Sequence, residues 1–178
     1  MLAQFFLPLE NLARKAERDR ADYLRWAEEG VLTLTDGNVV DHTAIVDHVV
    51  TLGQRYSVQE VAIDRWNSTA VNTALQDEGF TVAQFGQGFA SMAAPVKELK
   101  RAILCGHFRH GANPLLRMCF ANVVADTDPA ENEKFTKERA RGRIDGAVAA
   151  AMAVGRILAD EDGPSPYERG RPDGFLFV

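Results

Sequence analysis

Two aspartates stand where a hydrolytic metal site needs them. Asp64 closes residues 58–63, VQEVAI, a run rich in β-branched and apolar side chains that predicts a short strand. In open α/β sheets, ligands sit in the crevice outside the carboxyl ends of strands. Asp145 directly precedes Gly146 at the head of residues 147–158, which are small or apolar almost throughout. A carboxylate entering such a helix is expected to be buried, and a buried charge requires a metal, a basic partner or backbone donors. Two acids on neighbouring elements are the protein half of a Mg²⁺ or Mn²⁺ site, because these hard ions take oxygen ligands and leave places for water and phosphate. Two such ions about 4 Å apart can activate water and steady the leaving oxygen of a phosphodiester. A third acid is expected close by, yet Asp126 and Asp128 fall in a hydrophilic turn, and Asp36 and Asp41 are similar. Each principal acid also has a plainer reading, as a helix cap or a turn former.

Other chemistry-bearing residues are less specific. His107 and His110 flank Arg109 at half-site spacing, but no further Cys or His at ligand spacing completes a zinc site. Lys97, Lys100 and Arg101 share a helix face at three- and four-residue spacing, which most often means a solvated face. No G-x-x-x-x-G-K-[ST] loop is present and no G-x-G-x-x-G follows a strand, so neither a P-loop nor a dinucleotide fingerprint is encoded here.

The elements that must position these residues read as follows. Residues 4–8 end a strand, and residues 9–29 predict one charged helix stopped by Gly30. Residues 31–35 alternate as a strand ending at Asp36-Gly37, and Asp41 caps a helix over residues 42–54. The strand leading to Asp64, a helix over residues 68–78 and a strand over residues 80–85 make a βαβ unit and argue for parallel pairing. Pro95 suits the first turn of a helix over residues 96–105. Residues 115–124 are apolar and fit helix or strand, residues 126–133 form a polar turn, and one long helix is predicted over residues 137–159, buried on most sides of its second half. From Asp160 onward Gly, Pro and charge predict a loosely held tail.

The chain has 178 residues, 46% hydrophobic, enough for a core, and a net charge of −5. Residues 95–145 carry 10 basic against 7 acidic side chains while both flanks are net acidic, so nucleic acid would be held by a local surface rather than by bulk charge. Cys105 and Cys119 lie in apolar surroundings without C-x-x-C spacing, which predicts buried, inert thiols in a reducing compartment. No signal-peptide pattern and no run of 18 apolar residues occurs, so a soluble cytoplasmic protein is expected.

Several segments taken together, residues 62–66 (AIDRW), 92–99 (MAAPVKEL), 110–117 (HGANPLLR), 122–124 (NVV) and 143–153 (RIDGAVAAAMA), occur in an order and spacing that resemble the carboxyl-terminal nuclease domain of tailed-phage terminase large subunits. Residues 5–8 and 23–30 also fit, and the likeness covers roughly residues 4–159. It implies an RNase H-like α/β fold, a mixed sheet flanked by helices, that cuts double-stranded DNA with two divalent ions, Mg²⁺ or Mn²⁺, during packaging in the bacterial cytoplasm. It places Asp64 and Asp145 as catalytic metal ligands, and sets Lys97, Arg101, His110, Lys137, Arg141 and Arg143 near the active face, where their charge suits DNA phosphates. The implied partners are DNA, a small terminase subunit and the portal. Family members carry a further metal-binding Asp on a strand preceding the segment that matches Phe5, and an ATPase motor before it. The expectation is therefore a partial nuclease domain over residues 1–159 with a polar tail over 160–178. A separate chain would supply the missing strands or the ATPase, and a non-catalytic packaging subunit is the alternative.

Overall fold

The computed structural model describes residues 1–66 and 69–161. Three two-stranded ladders and seven helices make up this part of the chain. Strand β1 (Phe5–Pro8) pairs in parallel with β2 (Leu32–Thr35), Phe5 opposite Leu32. Between them lie α1 (Leu12–Asp19) and α2 (Tyr23–Glu28). Helix α3 (His42–Arg55) then leads to β3 (Val61–Asp64), which pairs in parallel with β4 (Val82–Phe85) across α4 (Thr69–Asp77). The expected βαβ unit is there. The expected single mixed sheet is not, because no ladder hydrogen bonds join the β1–β2 pair to the β3–β4 pair among the described residues.

Several boundaries differ from the sequence reading, each for a local reason. The predicted helix over residues 9–29 is two helices. Arg20 adopts left-handed φ 50°, its N–H donates to the Glu17 carbonyl and the next N–H, of Ala21, to the Ala16 carbonyl. This is a Schellman closure without glycine. Helix α5 (Phe89–Leu104) begins a full turn and more before Pro95, capped at Gly88, and carries the proline inside it. Its buried Met92, Val96 and Leu99 form one stripe across the proline, and packing that stripe outweighs the lost backbone bond. Helix α6 (Pro114–Asn122) resolves the ambiguous apolar run: Asn113 accepts from Leu116 N–H at 3.0 Å and Pro114 occupies the first turn. The polar turn proves to be an antiparallel hairpin, β5 (Ala125–Thr127) with β6 (Glu133–Phe135).

The largest correction concerns the last helix. It spans Asp145–Glu161, as α7, and residues 137–143 form a bent, exposed arm before it. Helix α7 organises the core. Val148, Ala150, Ala151 and Met152 are buried with Met92, Val96 and Leu99 of α5, and Ala147 is buried as well. Ala149, Ala153 and Ile157 form an exposed stripe, so the helix is covered less completely than its composition predicts. Gly146 meets Phe5 and Leu116, where a Cβ would stand 2.8 Å from the Phe5 ring. Gly155 meets Phe85 and Pro95 at 2.7 and 2.8 Å from the same construction. One helix thus touches both parallel strand pairs, nine residues or about 13 Å apart along its axis. A second cluster, Leu12, Ala21, Tyr23, Leu32 and Leu115, packs α1 and α2 over β1–β2.

Cys119 is buried as expected, whereas Cys105 is exposed at the end of α5. Among the described residues no helix is long and apolar enough to cross a membrane. The predicted tail, but for its first two residues, and the helix start at Asn67 and Ser68 lie outside the described residues.

Two predictions follow from this packing. Asp19 accepts from both Arg18 nitrogens at 2.7 and 2.9 Å and from the Tyr23 hydroxyl at 2.8 Å, and the Arg18 hydrogen bond holds its carboxyl below the usual carboxylate range. A depressed folded-state pKa contributes stability above the unfolded value and loses it as pH falls through the folded one. Asp19→Asn is therefore expected to cost about 1–2 kcal/mol at neutral pH, the difference from wild type vanishing in acid, as read by urea melts over a pH series. Alkylation of the native protein is expected to modify Cys105 quickly and Cys119 only on unfolding, since burial also pushes the Cys119 thiol up; peptide mass mapping checks it.

Candidate functional site

Asp64 ends β3 level with Phe85 of β4. Parallel pairing therefore sets the loops after both strands side by side, and Gln87 from the second loop reaches the carboxylate. Its Nε2 donates to Asp64 Oδ2 at 2.7 Å, while Trp66 N–H donates to Oδ1 at 3.2 Å. Both oxygens are engaged, one of them in a turn of the chain on itself. This is the turn-forming role that aspartate fills in proteins generally.

Asp145 is the first residue of α7, where a negative charge suits the helix dipole. Contrary to expectation its side chain is 59% exposed and pairs with Lys137 Nζ at 3.2 Å. The burial lies one residue to either side, at Ile144 and Gly146, so the carboxylate projects from the helix mouth toward water. Burial pushes the Cys119 thiol of α6 up, and the Asp145 charge acts in the same direction.

The acids considered as a third ligand are each committed elsewhere or stand apart. Asp126 pairs with Arg139. Asp128 accepts from Asn132 Nδ2 and from the Ala130 and Asn132 N–H groups, and the Asn132 bonds hold its carboxyl low. Asp41 caps α3 through Thr43 N–H at 2.9 Å, and Asp36 is exposed in the turn after β2. Among the described residues no group of three or more His, Cys, Asp or Glu side chains is placed to hold a metal ion. The donor set therefore does not fit a two-ion centre, which needs more carboxylates than Asp64 and Asp145 provide. The His107 and His110 half-site is likewise incomplete.

The basic candidates divide by partner. Lys97 is exposed on α5 without a partner among the described residues, on the wall of a cleft of about 870 Å³ between α5 and the β5–β6 hairpin. That cleft includes neither Asp64 nor Asp145. Arg101 is tied to Glu98 by two hydrogen bonds at 2.8 and 2.6 Å, and its neighbour Lys100 to Glu133. His110 stacks on Phe108 with its Nδ1 buried, a packing arrangement rather than an outward contact. Lys137 meets Asp145, Arg143 lies 3.7 Å from Asp19, and the exposed Arg141 side chain has no partner among the described residues. Sequence reasoning missed Gln87, although the βαβ pattern already implied that its loop adjoins Asp64. It also missed Asn122, whose contacts only the tertiary structure reveals.

Comparison with known proteins gives a consistent result. The family described as terminase large subunit, endonuclease domain, matches residues 1–161. The large terminase subunit of Enterobacteria phage HK97 is 35% identical over 175 residues, covering 97% of this chain and 34% of that protein. Protein YmfN of Escherichia coli (strain K12) is 39% identical over 150 residues, 83% of this chain and 32% of that protein. The chain thus spans about a third of the length of these relatives. The crystal structure of the HK97 large terminase superposes with a TM-score of 0.79 at 36% identity, over 85% of this chain and 32% of that one. The large terminase nuclease of the thermophilic phage G20c gives 0.52 at 18% identity, over 66% and 63%, a likeness of mixed α/β fold alone.

The site geometry predicts unequal costs for breaking the contacts of its two acids. Asp64→Ala removes two hydrogen bonds in a half-buried turn and is expected to destabilise by about 1–2 kcal/mol, whereas Lys137→Ala breaks an exposed pair and should stay within about 1 kcal/mol of wild type. Denaturant midpoints of the two variants, measured together, check the order.

Proposed function

This chain belongs to the terminase large subunit endonuclease-domain family, and on that premise we propose that it acts in phage genome packaging as a subunit that holds duplex DNA and its packaging partners without building a cutting centre from its own acids. The observation that carries this reading is the engagement of the two acids. Asp64 is held by Gln87 and the Trp66 N–H, Asp145 by Lys137, and no third metal-capable side chain joins them among the described residues. The binding side of the reading draws on Lys97 and on the exposed arm that carries Lys137, Arg141 and Arg143, since phosphate contacts come from such cations. The small terminase subunit and the portal are the protein partners this role implies. Its architecture is RNase H-like, with residues 1–159 as the nuclease-like unit and residues 160–178 as a polar tail.

One observation favours a second reading, that of a DNA endonuclease. Helix α7, which opens with Asp145, packs against β3, which closes with Asp64, so both acids belong to one packed unit. That reading needs a further carboxylate from another segment or chain; Asp64 and Asp145 would then serve as ligands of Mg²⁺ or Mn²⁺.

A plasmid-nicking assay with Mn²⁺, run beside calorimetric Mn²⁺ titration and DNA retention at several salt concentrations, separates the two. The expected result is salt-sensitive retention with no nicking above the level of Asp145→Ala. Tight Mn²⁺ binding with nicking abolished in Asp145→Ala would overturn the first reading in favour of the second.

A further inference from the structure

The arm between β6 and α7 carries a cation at every second position: Lys137, Arg139, Arg141 and Arg143. Three of the four face a carboxylate from a different element. Lys137 meets Asp145 at the head of α7, Arg139 meets Asp126 in β5, and Arg143 lies 3.7 Å from Asp19 at the end of α1. A cation already neutralised by a carboxylate must leave it before it serves a phosphate, and so adds less to binding than a free one. The Arg141 side chain is exposed and has no partner among the described residues.

The backbone around Arg141, by contrast, is held on both sides. Its N–H donates to the Asn122 carbonyl at 3.2 Å, and Asn122 Nδ2 donates to the Arg143 carbonyl at 3.2 Å. Asn122, the last residue of α6, therefore grips the arm twice, once by its main chain and once by its side chain. Gly142 lies between the two grips, and a Cβ there would stand 2.8 Å from Asn122 Nδ2. A side chain at this position would push the Asn122 amide away from the Arg143 carbonyl it holds.

We infer that Asn122 is a positioning residue that, with Gly142, latches the arm to the end of α6 and presents Arg141 as the principal phosphate anchor for duplex DNA. The inference rests on the DNA-holding reading above and deepens it by assigning the anchor and what fixes it. Ordering the backbone in advance lowers the entropy lost when the side chain engages a phosphate. The exposed side chain remains available to release a counterion on binding.

The test uses the whole chain and the variants Asn122→Ala, Gly142→Ala, Arg141→Ala, Arg141→Lys and Arg139→Ala. Limited trypsin digestion reads the latch: cleavage after Arg141 and Arg143 should be several-fold faster in Asn122→Ala and in Gly142→Ala, with melting temperatures reported alongside to separate local release from unfolding. Fluorescence anisotropy with a short duplex over a salt series reads the anchor. Arg141→Ala should lower the slope of log affinity against log salt by about 0.9, the value of one phosphate contact, while Arg141→Lys keeps the slope and Arg139→Ala changes it much less. Asn122→Ala should weaken binding several-fold although every cation remains. Unchanged cleavage in both latch variants overturns the latch, whatever the binding data. Faster cleavage with a wild-type chain that does not bind DNA leaves the latch standing and overturns both the anchor and the DNA-holding reading. An equal slope loss in Arg139→Ala and Arg141→Ala overturns the choice of anchor alone.

Discussion

The close approach of α7 to two separate strand pairs is the constraint on which the described fold depends. Gly146 and Gly155 sit where any Cβ would meet Phe5, Leu116, Phe85 or Pro95 at under or about 3 Å. Alanines 147, 150 and 151 fill the buried face between them. Such small side chains let the helix axis come close to its neighbours, so that larger groups from other elements, Phe85, Met92, Val96 and Leu99, complete the core around it. Where ladder hydrogen bonds would ordinarily join strands into one sheet, among the described residues a helix joins the two pairs by packing.

The same helix brings the chemistry-bearing segments together. Its first residue is Asp145, its Gly146 lies against Leu116 of α6, and Arg156 in its second half pairs with Glu60 just before β3. The arm feeding α7 is held by contacts from α1, β5 and α6. Opposite charges dominate these contacts. Lys137, Arg139 and Arg143 each meet an aspartate, which gathers the arm on the surface while leaving it hydrated, a weak mode of attachment because exposed pairs add little stability. A fold related to a cutting enzyme thus carries Asp64 and Asp145 occupied by amides and an ammonium group, and an arm on which three of the four cations are occupied by acids. Membership of a nuclease family and possession of a complete metal site are separate properties, because the first follows from the whole chain and the second from a few oxygens held in one place.

The elements most legible in the sequence were those with local causes. The β3–α4–β4 unit follows from short apolar runs spaced by a helix. Asp41 caps its helix as its residue type and position predict, and the apolar run of α7 is buried along one face, at Ala147, Val148, Ala150, Ala151 and Met152. The order of five short motifs pointed to the family. Turn and cap chemistry failed where a non-local contact outweighed it. Pro95 suits a helix start, but the stripe from Met92 to Leu99 packs against α7 and carries the helix through it. Arg20 gave no sign of ending a helix, because its left-handed backbone is held by the fold and not by its side-chain type.

From the sequence alone came the α/β class and the family, through the order of elements and motifs along the chain, and the placement of Asp64 at a strand end and of Asp145 at a helix head, through residue types within a few positions of each acid. Only the tertiary structure decided what those carboxylates touch. Gln87 lies 23 residues from Asp64, and strand pairing sets its loop beside that acid without saying which side chain reaches it; Asn122 lies 21 residues from Arg143, and no pattern in either segment points to the other. Exposure belonged to the same category. The apolar composition around Asp145 predicted burial, but on a helix the direction of one side chain is set by which neighbours pack against each face, and at Asp145 that face opens to water.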